Sequence, residues 1–218
     1  MPGQEGVTRF NLQFEPTGPI NEAVLGTLAH WRQRLMAAGL VGQDPNRYDG
    51  YGFGNLSCRV RPFNALPNQR AFIITGSQTG YKQFLTGQDY SHVHSFDLAK
   101  NLVNAHGPTH PSSESLTHGA VYMVDPSIRW VFHVHSQLLW KNAKNLHLPI
   151  TQSNIPQGTP EMAYEVARLF ETTAVRQTHI FAMGGHEDGM VAIGRTAEEA
   201  GNAVMHALKQ VTSRGGGI

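Results

Sequence analysis

The sequence predicts a single α/β domain in three layers, with helices on both faces of a mixed, largely antiparallel central sheet. Three observations point to this α/β/α fold. Helical and strand-like segments are interleaved irregularly, neighbouring strands are placed to form hairpins, and no internal repeat or low-complexity linker divides the chain. The 218 residues suffice for one sizeable domain and are few for two. We predict the domain at residues 19–214, an irregular, polar N-terminal arm at 1–18 and a flexible tail at 215–218.

Composition and charge exclude several classes of partner. The hydrophobic content of 40% is ordinary for a globular protein, and no apolar run reaches the length of a membrane span. The net charge is +1 and no cluster of Lys and Arg stands out, so we expect neither nucleic acid nor a membrane surface as a partner. The N-terminus lacks the layout of a secretory signal, and the single cysteine, Cys58, excludes an internal disulfide. These features predict a cytoplasmic protein.

In the first half of the chain, apolar periodicity and turn residues delimit one helix and two strands. The helix is predicted over 21–38, where apolar residues recur at helical spacing and Gly39 supplies a C-terminal stop. A turn-rich loop follows at 44–52. Short runs of apolar and β-branched residues then predict strands at 56–60 and 71–75.

Two segments beside these strands carry polar groups suited to a ligand. Glycines precede Asn55, whose amide could bind a ligand, although Gly-Asn is also a common turn dipeptide. In the loop at 76–80, glycines, hydroxyls and exposed backbone N–H groups could hold an anion. This loop matches neither the P-loop nor the dinucleotide-binding spacing, so its ligand stays open.

The stretch between residues 110 and 136 is predicted to carry the functional site. Ser112 or Ser113 can cap a helix that begins at Glu114 and ends before a proline. The apolar and β-branched run at 130–135 then predicts a strand. A helix that returns toward this strand would bring the carboxylate of Glu114 near it.

His133 and His135 lie two residues apart in the predicted strand, so their side chains point to the same face. Such a pair forms half of a metal site. The alternative is a polar pair on a solvated face, and the nearby Glu114 favours the metal. His186, in a glycine-framed turn between two predicted strands, can supply the third imidazole. Three histidines and a carboxylate suit zinc, and manganese, iron or cobalt also fit.

A second His-x-His motif, His92 and His94, competes with this pair. Its polar surroundings, which include Asp89, Ser91 and Ser95, favour an exposed edge or hairpin strand with solvated histidines. The later pair lies in a more apolar strand, which we expect at the centre of the sheet. A central strand holds a site more rigidly, so we assign the metal site to the later pair.

The second half of the chain is predicted to alternate helices with short strands. Thr159, with Pro160 at the first helical position, caps one helix, and a Thr-Ala-Glu-Glu capping box opens the last. The predicted elements are a helix at 137–145, strands at 148–151, 178–183 and 190–193, and the two capped helices.

Five segments in this order and spacing resemble the class II aldolase/adducin family, from about Asn21 to the last helix. Each segment alone is a weak signal, but the combination is specific to the family. The segments are Gly54 to Ser57, the loop from Thr75 to Gly80, Pro111 to Glu114, His133-x-His135, and the later histidine-containing turn before an apolar strand.

The resemblance implies a metal-dependent lyase similar to the fuculose-phosphate aldolases, with zinc or another divalent metal. It implies His133, His135 and His186 as metal ligands, and Glu114 as both ligand and general base. The anion-binding residues that it implies are Asn55, Thr79, Gly80, Ser112 and Ser113. The start of a helix suits the two serines physically, because free N–H groups there favour an anion.

The implied substrate is a small sugar-like hydroxy-carbonyl compound, with or without a phosphate, which reacts through an enediolate. No Lys or Arg lies within the anion motifs, and their hydroxyls would hold a carboxylate equally well. The resemblance also implies a homo-oligomer, with a tetramer favoured and active sites at subunit contacts.

The sequence departs from the aldolase pattern at two places. In the family a histidine directly precedes glycine in the third-ligand turn, whereas two residues separate His186 from Gly189 here, so Asp188 is the alternative ligand. The tyrosine that acts as the general acid in the aldolases should lie near residues 152–153, which are Gln and Ser here. Tyr164 or a residue of a neighbouring subunit could replace it.

Several functions therefore remain open from the sequence. The same metal site would serve an epimerase, a dehydratase or a decarboxylase, because these reactions share enediolate or enolate intermediates. A non-catalytic scaffold domain of the adducin type would have no need of the ligand set. A protein that binds a sugar phosphate without turnover would need the anion loop but not Glu114.

Overall fold

A computed structural model of the chain describes residues 6–215, and of residues 214 and 215 it describes the backbone alone. The strands in this part of the chain are Asn11–Pro16 (β1), Gly42–Gln43 (β2), Gly52–Phe53 (β3), Asn55–Arg59 (β4), Phe72–Thr75 (β5), Tyr90–Asp97 (β6), Leu102–Gly107 (β7), Trp130–His135 (β8), Ile180–Ala182 (β9) and Gly189–Gly194 (β10). The α-helices are Leu25–Ala37 (α1), Ser115–Val124 (α2), Gln137–Asn142 (α3), Pro160–Thr172 (α4), Val175–Thr178 (α5) and Ala197–Gly215 (α6). Short 3-10 helices occupy Tyr48–Gly50, Pro67–Gln69 and Gly87–Asp89.

Eight of the strands form one mixed sheet in the order β1-β7-β6-β5-β4-β8-β10-β9. The edge strand β1 runs parallel to β7, and the other neighbouring strands pair antiparallel. Strands β2 and β3 form a separate antiparallel pair. This topology confirms the predicted α/β fold with a mixed, largely antiparallel sheet.

Two hydrophobic cores lie on opposite faces of the sheet. Helices α2 and α4 cover one face with residues such as Leu116 and Val166. Helices α1, α3 and α6 cover the other with residues such as Trp31, Leu139 and Val204. Burying each such side chain contributes about 1.5–3 kcal/mol, so both helical layers are held by the sheet between them.

Side-chain alternation in β8 decides where its histidines point. Val131 belongs to the core under α2 and α4, whereas Phe132 and Val134 belong to the opposite core. Because residues two apart share a face, His133 and His135 lie on the same face as Val131. In the neighbouring strand β4, Asn55 pairs directly with His133.

The predicted irregular arm is wrong for residues 11–16, which form β1. Leu12 and Phe14 pack against the first core while Gln13 and Glu15 are exposed. This period-two alternation is typical of an edge strand. The polar residues of the segment mask it in the sequence, which is why the sequence predicts an arm here. The division into arm, domain and tail stays a prediction.

Residues 1–5 of the predicted arm and 216–218 of the predicted tail lie outside the described residues. Residue 215, also assigned to the tail, is the last residue of α6. None of the described helices combines the length and the hydrophobicity needed to cross a bilayer.

Two further predictions need correction. Residues 148–151 make only an isolated bridge between Ile150 and Ala182 instead of a strand, in a segment where Pro149 has no backbone N–H to donate. Strand β6 is predicted as an exposed edge or hairpin strand; it forms a hairpin with β7, but it does not lie at an edge because β5 pairs with its other side. His92 is accordingly half-buried, whereas His94 is exposed as predicted.

Helix α6 crosses α1 at Gly201, where a methyl group would overlap the indole ring of Trp31. We expect Gly201→Ala to lower the free energy of unfolding by about 1–3 kcal/mol through overpacking, despite the better helix propensity of alanine. The matched control is Gly26→Ala in α1, where a methyl group would meet no neighbouring atom within 4 Å. That variant should be neutral or slightly stabilised. Urea unfolding of both variants measures the difference, and equal stabilities would contradict the packing argument.

Candidate active site

Three buried histidines converge at one point of the structure. The Nε2 atom of His133 lies 3.0 Å from that of His135 and 3.3 Å from that of His186. Each residue offers a ligand atom within 4.8 Å of the other two. Nitrogen ligands about 2.0–2.1 Å from a tetrahedral metal are roughly 3.3 Å apart, so the observed spacing fits a metal ion. Within residues 6–215, no other group of three metal-ligating side chains is drawn together as closely.

The sheet fixes the ring of His133. Its Nδ1 lies 3.1 Å from the backbone carbonyl of Met190 on the neighbouring strand β10. If Nδ1 donates to this carbonyl, the tautomer leaves the lone pair of Nε2 free for a metal. This contact is the outer hydrogen bond that metal-binding histidines commonly make.

His186 reaches the cluster from the turn between β9 and β10. A methyl group on Gly189 would touch the imidazole of His186, and one on Gly185 would overlap the carbonyl of Ile155. Glycine at these two positions therefore lets the turn pack closely and leaves room for the ring. The two residues between His186 and Gly189 do not prevent the histidine from joining the others.

Asp188, the alternative third ligand, is not a member of the three-histidine group. Its Oδ2 accepts a hydrogen bond of 2.8 Å from the hydroxyl of Tyr48, which in turn accepts one of 2.8 Å from the guanidinium of Arg47. The ring of Tyr48 packs edge-on against His135 at 4.7 Å between centroids. No local pattern indicated this Arg47–Tyr48–Asp188 network, because Asp188 is remote in the chain from the other two.

Burial keeps the three imidazoles neutral. Desolvation lowers the pKa of His133 to about 4 and holds the pKa of His135 and of His186 well below the usual range. Neutral imidazole is the form that binds a metal, so none of the three needs to lose a proton near neutral pH.

Glu114 lies immediately before α2, which begins at Ser115 rather than at the predicted Glu114. Its carboxylate is not part of the three-histidine group, so its role as a metal ligand stays a prediction. The side chain is 2% exposed, and its Oε2 accepts a hydrogen bond of 2.9 Å from Thr117. Burial raises the pKa of Glu114 to about 7, against the opposing effects of the Thr117 hydroxyl and the charge of Arg9. A carboxyl group with this pKa can exchange protons near neutrality.

The five residues predicted to bind an anion line one narrow cavity: Asn55, Thr79, Gly80, Ser112 and Ser113. Within the described part of the chain, the buried Oδ1 of Asn55 has no hydrogen-bond partner. The predicted capping of α2 by one of the serines is wrong, because no side chain caps this helix. Their role with an anion stays a prediction.

A buried arginine that the sequence analysis missed supports this cavity. Arg32 of α1 donates hydrogen bonds to the carbonyls of Thr79 at 3.0 Å and of Gly80 at 3.3 Å. A side chain on Gly80 would overlap the carbonyl of Gly42, so only glycine allows this close approach of two loops. The positive charge of Arg32 therefore lies directly behind the glycine-rich loop.

Arg9 is the second cation that the sequence analysis missed. A methyl group on Gly158 would lie 3.1 Å from the carbonyl of Ser113 and 3.9 Å from Cβ of Arg9, so both residues approach this glycine. The side-chain amide of Asn101 donates a hydrogen bond of 2.8 Å to the backbone carbonyl of Arg9. Burial raises the pKa of Glu114 and lowers that of His186, and the charge of Arg9 opposes the first effect and adds to the second. The site thus has a cation close to its predicted base.

Comparison with known proteins agrees with this fold. A model of the class II aldolase and adducin N-terminal domain family matches residues 35–210. No curated protein gives a significant match to the sequence.

Several solved structures share the architecture. L-fuculose-1-phosphate aldolase from Thermus thermophilus superposes with a TM-score of 0.60 at 20% identity, over 90% of this chain and 99% of that one. A sugar-phosphate aldolase from Thermotoga maritima gives 0.62 at 16% identity, over 87% and 92%. YgbL from Klebsiella pneumoniae, described as a candidate aldolase/epimerase/decarboxylase, gives 0.62 at 18% identity, over 89% and 91%. Identities this low establish the shared fold alone.

We expect the metal-free protein to lose stability as the pH falls below about 6.5, the usual pKa of histidine. The unfolded chain takes up protons there, whereas burial lowers the folded-state pKa of His133, His135 and His186, so acid favours unfolding. Each histidine costs up to about 1.4 kcal/mol per pH unit until its folded-state pKa is reached. Urea unfolding of chelator-treated protein at several pH values between about 7.5 and 5 measures the slope.

The control compares a buried with an exposed histidine. His186→Gln should reduce the slope, whereas replacing the exposed His30 by Gln should leave it unchanged. An unchanged slope in His186→Gln would show that its burial does not determine the acid sensitivity.

Proposed function

The chain belongs to the class II aldolase and adducin N-terminal domain family, and we propose that it is a metal-dependent lyase of the class II aldolase type. In this proposal the enzyme cleaves or forms a carbon–carbon bond in a small sugar-like hydroxy-carbonyl substrate through an enediolate. The observation that carries the proposal is the convergence of three neutral imidazoles on one point. A non-catalytic scaffold has no physical need for three buried imidazoles at this spacing, because burying polar rings costs free energy that apolar side chains would not cost.

His133, His135 and His186 would hold the metal, with zinc as the first choice for three imidazoles. When bound, a divalent metal supplies a Lewis acid that stabilises negative charge on the substrate oxygens. Glu114 removes a proton from the substrate, and its pKa of about 7 lets it accept and return that proton near neutral pH. The burial of all four side chains excludes water, which strengthens the electrostatic interactions at the site.

We propose that the substrate carries an anionic group, a phosphate or a carboxylate, in the cavity lined by Asn55, Thr79, Gly80, Ser112 and Ser113. The serine hydroxyls and the backbone N–H groups supply hydrogen-bond donors. Arg9 supplies the cation that the motifs themselves lack: it approaches Gly158 together with Ser113, and its charge opposes the rise in the pKa of Glu114 that burial causes. An arginine fork matches both phosphate and carboxylate geometry.

The second candidate is an epimerase, dehydratase or decarboxylase that uses the same metal and base. The observation that favours it is that residues 152 and 153 are Gln and Ser, where the aldolase pattern has a tyrosine that acts as the general acid. Tyr164 is 69% exposed and would need a contact from outside the described residues to act as this acid. A homo-oligomer, with a tetramer favoured, and a cytoplasmic location remain predictions.

The first test combines metal content with activity. Elemental analysis should find zinc in the purified, zinc-loaded protein. The His133→Ala/His135→Ala variant should lack the ion bound at this site. A screen of hydroxy-aldehydes and hydroxy-ketones, phosphorylated and not, then identifies turnover. Glu114→Gln should retain the metal and lose about 10²–10⁴-fold or more in kcat, because the amide cannot accept a proton. Near-normal turnover in Glu114→Gln would exclude this base.

The second test addresses the anionic group with inorganic phosphate as the probe. Phosphate should raise the Tm of the zinc-loaded protein, and Arg9→Gln should weaken the apparent phosphate affinity at least about tenfold, the effect of one lost charge-assisted hydrogen bond. Arg195→Gln, at an exposed position, is the matched control and should behave as the wild type. Equal phosphate affinities in both variants would remove Arg9 from the proposal, and a Tm increase with glycolate but not with phosphate would favour a carboxylate.

A further inference from the structure

A second histidine cluster lies on the hairpin formed by β6 and β7. His92 and His106 are paired across the two strands, and the Nδ1 of His92 lies 3.1 Å from the Nε2 of His106. The ring of His94 stacks on that of His106 with 5.8 Å between centroids and 25° between planes. Three imidazoles therefore occupy one patch of the sheet, which we call the hairpin cluster.

His94 lies two residues after His92, on the same face of β6, and it is the extra residue of a β-bulge. Val93 pairs with Ala105 and Ser95 pairs with Asn104, so His94 is an extra residue on β6. An extra residue in one strand interrupts the alternation of side chains and re-aims them. Without the bulge, His94 and Ser95 would lie on opposite faces. With it, His94 stacks on His106 while Ser95 accepts a hydrogen bond from Asn104.

A carboxylate adjoins the hairpin cluster on the edge strand. Glu15 of β1 pairs in register with His106, and both residues therefore point to the same face. The charge of Glu15 also reaches the ring of His94. Glu15 and His94 are both exposed, so their side chains can turn toward the half-buried pair at little cost in packing.

The hairpin cluster is separate from the candidate active site. His92 and His106 lie on the face opposite Val93 and Ala105, which belong to the core under α2 and α4. His133 lies on the α2 and α4 face. Strands β5 and β4 also separate β6 from β8, a distance of about 14 Å across the sheet at 4.7–4.9 Å per strand. A ligand in one cluster cannot contact the other.

We propose that His92, His94 and His106 form a second binding site for a divalent transition metal, with Glu15 as the fourth ligand. The His92–His106 nitrogen spacing of 3.1 Å is close to the roughly 3.3 Å expected of two imidazoles on one tetrahedral ion. Three imidazoles and a carboxylate suit zinc, nickel or copper. Because His94 is exposed, its imidazole is free to rotate toward the His92–His106 pair and complete the site.

Burial keeps the His92 ring in the form that binds a metal. The Nδ1 atom, which lies 3.1 Å from His106, is the nitrogen placed to bind the ion, and Nε2 is buried without a hydrogen-bond partner among the described residues. Burial, together with the charges of the two neighbouring histidines, lowers the pKa of His92 to about 4. The ring is therefore neutral near pH 7, which leaves a lone pair for a metal.

The test is a zinc titration of tag-free, chelator-treated protein by equilibrium dialysis and elemental analysis. Wild-type protein should bind two zinc ions per chain. His92→Gln/His106→Gln and His133→Ala/His135→Ala should each bind one. His30→Gln/His147→Asn, at two exposed positions outside both clusters, is the matched control and should bind two. Circular dichroism without metal verifies that each variant is folded.

A milder variant keeps the proposal testable if the double variant does not fold. His94→Ala changes only an exposed side chain and should weaken the second zinc affinity about tenfold or more, with the first unchanged. Retention of two equally tight zinc ions in His92→Gln/His106→Gln, or an unchanged second affinity in His94→Ala, would overturn the hairpin site. One zinc in wild type, lost only in His133→Ala/His135→Ala, would also overturn it and leave the proposed function intact. One zinc lost only in His92→Gln/His106→Gln would support the hairpin site and count against the active-site metal.

Discussion

The pairing of β8 with β4 on one side and β10 on the other is the constraint on which the site depends. This pairing sets Asn55 opposite His133 and supplies the Met190 carbonyl at 3.1 Å from the His133 ring. It also fixes the end of the turn that carries His186, because that turn leads from β9 into β10. A shift of one residue would send both histidines of β8 into the opposite core, where Phe132 and Val134 now pack. The apolar residues of β8 therefore specify the site as firmly as the histidines do.

Desolvation shifts the pKa of Glu114 and the pKa of the three histidines in opposite directions, and both shifts favour the proposed chemistry. Burial disfavours the charged form of any group, so it lowers the pKa of the histidines and raises that of Glu114. Near neutral pH the imidazoles are neutral and the carboxyl group is near its midpoint. One physical cause thus prepares both the metal ligands and the base. Neither Arg9 nor Thr117 cancels it, although both oppose it at Glu114.

Sequence reasoning located the elements that carry strong local patterns. The alternating run of β8, the Pro160 start of α4 and the glycines around His186 all indicated their positions, because each follows from backbone preference or side-chain period. It missed β1, whose alternation is short and mostly polar. It also missed Arg9, Arg32 and the Tyr48–Asp188 hydrogen bond. Contacts between residues distant in the chain depend on tertiary packing, which local patterns do not encode.

Strand β1 is the first element among the residues that the structure describes, yet its partner β7 lies near the middle of the chain. During synthesis, β1, which follows Arg9, cannot pair with its neighbouring strand until the β6–β7 hairpin has been made. His186 is synthesised later still. Contacts of such long sequence separation close slowly, because loop entropy is lost before they form. The nascent chain therefore exposes the apolar side chains of β1 for much of translation, and the site is assembled only when almost the whole domain has left the ribosome.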